Sequence, residues 1–150
     1  MSVITVFREM LDERGLSGAI RWLNGRAPYR YTAVFAFEGD TLRNVCLVDK
    51  ENAEITSCPD SPVGNSYCTY IRESGRQFSV EASLTDARVE SHPKRTSYQC
   101  YYGVPLFDKG GRLIGTVCHF DTVPIRVARE VANVLDDVAP LIAEKAFEVG

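Results

Sequence analysis

The stretch Tyr101–Pro124, YYGVPLFDKGGRLIGTVCHFDTVP, decides the fold. Tyr101 to Phe107 and Arg112 to Phe120 are rich in aromatic and branched residues, the composition of half-buried strands. Between them Asp108-Lys109-Gly110-Gly111 supplies a tight turn, because glycine takes positive φ at no steric cost. The spacing predicts an antiparallel hairpin. Strand alternation places Tyr101 and Gly103 on one face together with Thr116, Cys118 and Phe120. Tyr102, Val104, Leu106, Val117 and His119 share the other face.

Upstream of the hairpin, Ser2 caps a helix that runs through about Arg14 and stops at Gly15. Val3, Val6, Phe7, Met10 and Leu11 fall on one side of it at helical spacing. Ser17 caps a second short helix ending at Asn24-Gly25. Tyr31–Glu38 and Leu42–Asp49 read as a hairpin across Gly39-Asp40, with Tyr31, Ala33, Phe35 and Phe37 on one face. The polar segment from Lys50 to Asn65, with Pro59 and Pro62, is expected to be a long loop. Ser66 caps a helix to Glu73 that stops at Gly75, Gln77–Glu81 forms a short strand, and Ala82–Gln99 is part loop, part short helix.

Downstream, Pro124 is expected near the first turn of a long helix reaching about Val149, where its missing N–H costs nothing. Val127, Val131, Val134, Val138 and Leu141 form its apolar stripe. Pro140 removes the bond to the Asp136 carbonyl and is expected to kink or break the helix. No repeat or linker divides the chain, so residues 1–150 read as one domain. Strands paired as hairpins, with helices collected at both ends, specify an α+β fold on a central antiparallel sheet.

Composition bounds the function. Hydrophobic residues at 45% and charged ones at 25% of 150 are ordinary for a globular domain. Seventeen basic against twenty acidic side chains leave a formal charge of −3 and no Lys/Arg cluster, a poor match to nucleic acid or an anionic membrane. The opening MSVITVFREM lacks the basic-then-apolar layout of a secretory leader, and no apolar run is long enough to span a membrane. Five cysteines, an odd number, argue against a disulfide framework and for a cytoplasmic protein with reduced thiols.

The order aromatic-aromatic-Gly-Val-Pro-Leu, turn, Gly-Arg-Leu-Ile-Gly-Thr-Val-Cys resembles the last hairpin of a GAF domain. SPVGNSYCTYI and the segment from Phe78 to Pro93 are similar in a looser way. The resemblance implies terminal helices on one face of the sheet and a small-molecule pocket over the other. On this chain the pocket residues are then Tyr101, Gly103, Thr116, Cys118 and Phe120 from the hairpin, Cys68 and Ile71 from the covering helix, and Phe78 and Asp86 beside it. Asp86 has a second reading, as the cap of the short turn that follows it. The resemblance also implies a sensor that dimerises through its terminal helices. It acts on a partner or feeds a kinase or cyclase domain, and the residues leave both open.

Cysteine is the residue type with the most chemistry to offer. Cys46 and Cys118 read as small buried hydrophobes. Cys68 falls in the first turn of its helix, where the backbone dipole lowers a thiol pKa. Cys58 and Cys100 fall in exposed, loop-like or edge positions. The order Cys58, Cys68, Cys100 is similar to the three cysteines of free methionine-R-sulfoxide reductases, which are GAF domains of similar length. That resemblance implies an alternative, thiol-dependent enzyme with Cys68 or Cys100 as nucleophile. Against it, the strand positions where that family carries carboxylates hold Tyr101, Cys118 and Phe120.

No metal site is expected. Cys118 and His119 are adjacent on a strand and point to opposite faces, and His92 stands far from any cysteine pair. The Cys118-His119 pair imitates a bilin attachment sequence, but it lies in a strand rather than ahead of a helix. The cyclic-nucleotide signature of other GAF domains is absent, and no histidine is placed to hold haem. The residues name no cofactor.

Overall fold

Helix α1 (Val3–Gly25) leads the chain, followed by strands β1 (Tyr31–Glu38), β2 (Thr41–Asp49) and β3 (Ser61–Pro62), then helix α2 (Cys68–Ser74). Strands β4 (Phe78–Val80), β5 (Cys100–Phe107) and β6 (Leu113–Asp121) and helix α3 (Arg129–Ala146) complete it. The structure, a computed structural model, describes residues 2–147. The strands form one antiparallel sheet in the order β3-β2-β1-β6-β5-β4. The expected α+β architecture is therefore present.

Local chemistry explains the element ends. Ser2 accepts the Thr5 N–H at 3.2 Å and opens α1. Gly15, at φ +72°, interrupts the helical backbone inside α1, so the expected two helices appear as one element with a kink. In the β5–β6 turn the Asp108 carboxylate accepts the N–H groups of Gly110 and Arg112, both at 2.9 Å, and Gly111 takes φ +82°.

The sheet separates two cores. On one face α1 and α3 bury Phe7, Ile20, Leu23, Leu135, Val138 and Ile142 against Val34, Val104, Leu106 and Val117. On the other, α2 and the segments around it cover Ala33, Phe35, Tyr101 and Cys118 with Val63, Cys68 and Ile71. The two hairpins meet along β1–β6, where Ala33 lies opposite Cys118 and Tyr31 opposite Phe120. On the other side of β6, Gly103 pairs with Cys118 and Tyr101 with Phe120. Rows of facing side chains thus cross three central strands.

Several expectations at the C-terminal end need correction. Pro124 does not enter the last helix, which starts at Arg129. Glu81 holds the intervening segment, its carbonyl accepting the Ile125 N–H at 3.1 Å and its carboxylate the Val127 N–H at 2.6 Å. Val127 is therefore outside the helix, and the buried stripe of α3 is Leu135, Val138, Ala139, Ile142 and Ala143. Pro140 does not end the helix, which is continuous through it. Burial on both sides of Pro140 outweighs the roughly 3 kcal/mol that an interior proline costs. Val149, the expected helix end, lies outside the described residues. Among the described residues, no helix is long and apolar enough to cross a membrane.

Candidate functional site

A cavity of about 320 Å³ lies on the α2 face of the sheet. Its walls are aromatic. Tyr31 stacks on Phe120 with ring centroids 5.0 Å apart, and Tyr98 meets the same Phe120 edge-on at 5.0 Å. Tyr67 stands edge-on to Tyr101 at 5.5 Å and donates its hydroxyl to the Tyr98 carbonyl at 2.8 Å. Phe35 and Leu42 close the side toward β2, and Asp60, Asn65, Ser66 and Lys94 bring polar groups to it. A mostly apolar wall with a few polar points is the usual lining of a small-molecule site.

The segment that forms the outer wall is held by one side chain. A bulge in the β1–β2 pairing shifts the register between Val34 and Phe35. Asn44, at that bulge, donates to the Cys46 carbonyl at 3.0 Å and accepts the Cys58 N–H at 3.1 Å. Its own N–H donates to Asp60 at 3.1 Å. Asn44 thereby fixes Cys58, Pro59 and Asp60 as cavity wall.

Three sulfurs converge here. Cys58 and Cys118 line the cavity, and Cys68 lies fully buried at its floor. The Cys68 sulfur is hydrogen-bonded to the Tyr101 hydroxyl at 3.1 Å and to Thr116 Oγ1 at 3.2 Å, while its N–H donates to Ser66 Oγ at 3.0 Å. Burial pushes the Cys68 thiol up, but hydrogen bonding from Cys118, Ser66, Thr116 and Tyr101 outweighs it and brings the pKa below the ordinary thiol value. Burial and the bond to Cys68 hold the Cys118 thiol well above it. Burial and the nearby sulfurs likewise keep Tyr101 protonated. The shifts run in opposite directions: Cys118 and Tyr101 hold their protons, and their hydrogen bonding favours the charged form of Cys68.

The expected site residues divide accordingly. Tyr101, Cys118 and Phe120 line the cavity. Cys68 and Thr116 lie beneath it. Gly103 serves indirectly: the Tyr101 phenol lies where its Cβ would be, so glycine lets the ring reach Cys68. Ile71 is buried in the α2 core and is not part of the lining. Phe78 stacks on Tyr70 at 4.5 Å under the Arg88 guanidinium, away from the cavity. Asp86 takes its second reading. Its carboxylate accepts the Arg88 N–H at 3.0 Å and pairs with the Arg88 side chain at 2.6 Å.

Cys100 is not exposed, and it does not join Cys58 and Cys68. Strand alternation turns it through the sheet into a cluster with Ala27 and Tyr29, where burial and Asp121 push its thiol up to about 12. His92 is also buried rather than a polar-loop residue, its ring tilted against Tyr67 with centroids 4.6 Å apart. Sequence reasoning missed Tyr67, Tyr98, Asn44 and Lys94. Tyr67 is adjacent to Cys68 in a motif already singled out, and Tyr98 stands three residues before Tyr101. Asn44 and Lys94 gave no signal, since a bulge and an irregular segment place them.

His119 completes the picture on the opposite face. It accepts or donates at Nδ1 with Thr32 Oγ1 at 2.7 Å and stacks on Tyr29 at 5.2 Å. Cys118 and His119 thus point to opposite faces, as strand alternation requires. Among the described residues, no group of three or more His, Cys, Asp or Glu side chains is placed to hold a metal ion.

No protein-family model matches the chain, and no curated protein matches it in sequence. Solved structures do match in shape. The GAF domain from the Acinetobacter phosphoenolpyruvate-protein phosphotransferase superposes with a TM-score of 0.76 at 9% identity, covering 97% of this chain and 94% of that one. The type II free methionine-R-sulfoxide reductase from Thermoplasma acidophilum gives 0.69 at 16% identity, with 98% and 96% covered. The free methionine-R-sulfoxide reductase from Neisseria meningitidis, solved in complex with its substrate, gives 0.70 at 16%, with 97% and 91% covered. The chain has the GAF fold, which is shared by structural neighbours that include both a phosphotransferase GAF domain and free methionine-R-sulfoxide reductases.

Proposed function

We propose that this chain is a sensory GAF module that binds a small, largely apolar or aromatic molecule in the cavity over Tyr101, Cys118 and Phe120. The cavity itself carries this reading. Its volume of about 320 Å³ suits a small ligand, and Phe120 and Tyr98 offer ring surfaces for it to stack on. Lys94 and Asn65 at the same cavity supply polar contacts that would fix its orientation. The test is a thermal-shift screen against a metabolite library, because a ligand that binds only the folded state raises the melting temperature by mass action. Absence of any shift would leave the cavity without an occupant and sink the reading.

Pairing of two copies through α1 and α3 belongs to the same proposal. Trp22, Val134 and Leu141 keep part of their apolar surface uncovered on that layer, and Ile4 on α1 is exposed. Sedimentation as a monomer at high concentration would refute it. Reduced thiols fit a cytoplasmic setting for this module.

A second reading has its own supporting observation, the sulfur cluster. In a free methionine-R-sulfoxide reductase, a thiolate attacks the sulfoxide sulfur, the thioether leaves, and a second thiol condenses with the resulting sulfenic acid to release water. Here Cys68 with Cys58 or Cys118 would fill those roles, since Cys100 lies across the sheet. NADPH consumption with thioredoxin, thioredoxin reductase and free methionine sulfoxide tests this directly. Turnover that Cys68→Ser abolishes would replace the sensor reading with the enzyme.

A further inference from the structure

We propose that Cys68 and Cys118 form a dithiol couple at the cavity floor that reduces hydroperoxides, Cys68 attacking and Cys118 resolving. The proposal uses the same cavity as the ligand-binding reading but does not depend on the identity of any ligand, and it requires no sulfoxide.

The geometry separates these two thiols from the other three. Cys46 and Cys100 pack on the helical face of the sheet, beyond reach of the cavity. Cys58 lines the cavity, but its backbone is tied to Asn44. Cys118 lines the cavity in the same cluster as Cys68, and it stands opposite Gly103, over which the Tyr101 phenol reaches to the Cys68 sulfur. The Cys118 proton is within reach of the Ala33 carbonyl, at 3.8 Å. Cys68 is touched by Tyr101 and Thr116, two hydroxyls that lie as close as 3.1 and 3.2 Å. Such an environment favours a thiolate and provides donors for the oxygen that leaves a peroxide. Neither of these two neighbours is a carboxylate, so their hydroxyls work against the cost of burying the negative sulfur.

The step balances with the peroxide as oxidant. The Cys68 thiolate attacks the distal oxygen of R–O–O–H, an S–O bond forms as the O–O bond breaks, and the displaced alkoxide takes a proton to leave as alcohol, or as water when the peroxide is hydrogen peroxide. Cys68 is now a sulfenic acid. The Cys118 thiol attacks it, the S–O bond breaks, one water leaves, and the S–S bond forms. Two electrons have passed from two thiols to one peroxide. An external dithiol returns the pair to its reduced state. Because the second sulfur lies in the same buried cluster, condensation competes with further oxidation of the sulfenic acid.

The experiment uses the whole reduced chain with hydrogen peroxide as probe, read by non-reducing peptide mapping in a mass spectrometer. The expected product is a peptide pair joined through Cys68 and Cys118, lighter by two hydrogens. Two fewer thiols than the native five then titrate, and dithiothreitol restores them. Cys68→Ser should slow peroxide consumption at least about tenfold. Cys118→Ala should leave a sulfenic acid on Cys68 that dimedone traps, and Cys46→Ser should change nothing. The wild-type map needs no variant, so a variant that fails to fold does not remove the test. A Cys58–Cys68 bond, or oxidation of Cys68 no faster than of Cys46, overturns the proposal. So does a couple that methionine sulfoxide oxidises and peroxide does not, and that result would favour the reductase reading instead.

Discussion

The Tyr101 hydroxyl lies 3.1 Å from the Cys68 sulfur, and it reaches that position across Gly103, where a Cβ would collide with the phenol. Cys68 thus depends on a tyrosine and a glycine of β5 that lie far from it in sequence. Tyr101→Phe removes a hydrogen bond to the charged form of Cys68 and should raise its pKa. The rate of Cys68 alkylation at pH 7 should fall by roughly fivefold. Gly103→Ala should act in the same direction by pushing the ring aside. Iodoacetamide labelling followed across pH, with Cys68 read by peptide mass, measures both. An unchanged pH profile in Tyr101→Phe would mean that the hydroxyl does not stabilise the thiolate.

The β1–β6 junction has no room for a side chain at Gly115, whose Cβ would collide with the Phe35 carbonyl. Gly115→Ala should therefore separate the two hairpins locally and destabilise the protein by about 3 kcal/mol. Urea unfolding reads this as a lower midpoint, and a midpoint within error of wild type would contradict the register described for β1 and β6.

His119 governs part of the acid response. Burial, and then the nearby Lys50, lower its pKa to about 3, so the folded state holds the ring neutral. In the unfolded chain the same ring takes a proton near its ordinary value of about 6.5. The folded pKa is depressed, so this contribution is complete above about pH 6.5 and is lost as pH falls from there toward 3. The loss has a limiting slope of about 1.4 kcal/mol per pH unit. His119→Phe keeps a ring against Tyr29 and leaves Thr32 its bond from Asn24 at 2.9 Å. Its unfolding midpoint should vary less between pH 6.5 and 4 than that of wild type.

Pro140 sits exposed within a continuous helix. Pro140→Ala restores a donor for the Asp136 carbonyl, which favours the folded state by up to about 3 kcal/mol. Against this, the more flexible unfolded chain costs up to about 1 kcal/mol. The net should be a gain of about 1–2 kcal/mol, visible as a melting temperature several degrees higher. A lower melting temperature would show that the proline fixes a helix geometry that the packing requires.

How far the sequence carried is clear from particular residues. The glycines at 75 and 111 marked a helix end and a turn, and Gly15 a break that the structure keeps as a kink inside α1, because each takes positive φ, a purely local requirement. Strand alternation placed Tyr101, Cys118 and Phe120 on one face and His119 on the other, and period two does not depend on tertiary context. The same rule, applied to Cys100, puts it on the face opposite Tyr101, although its edge position suggested exposure. Pro124 and Val127 were misplaced because one distant residue, Glu81, holds that segment out of the helix with its backbone carbonyl and its carboxylate. The cavity wall at Cys58 to Asp60 depends on Asn44 in a bulge, a long-range arrangement with no local signature. Helix and strand were legible where the chemistry is local, and the site was legible at its strand residues and at Cys68 on α2.

The measurement that bears most directly on the cavity as the functional site compares wild type with a filled cavity. Cys118→Met keeps an apolar residue on β6 but extends it into the space that Cys118 now borders. The expected result is a metabolite that raises the wild-type melting temperature and loses its effect in Cys118→Met, with the variant otherwise folded by circular dichroism. A shift that persists undiminished in the folded variant would place the ligand elsewhere and contradict the assignment of this cavity.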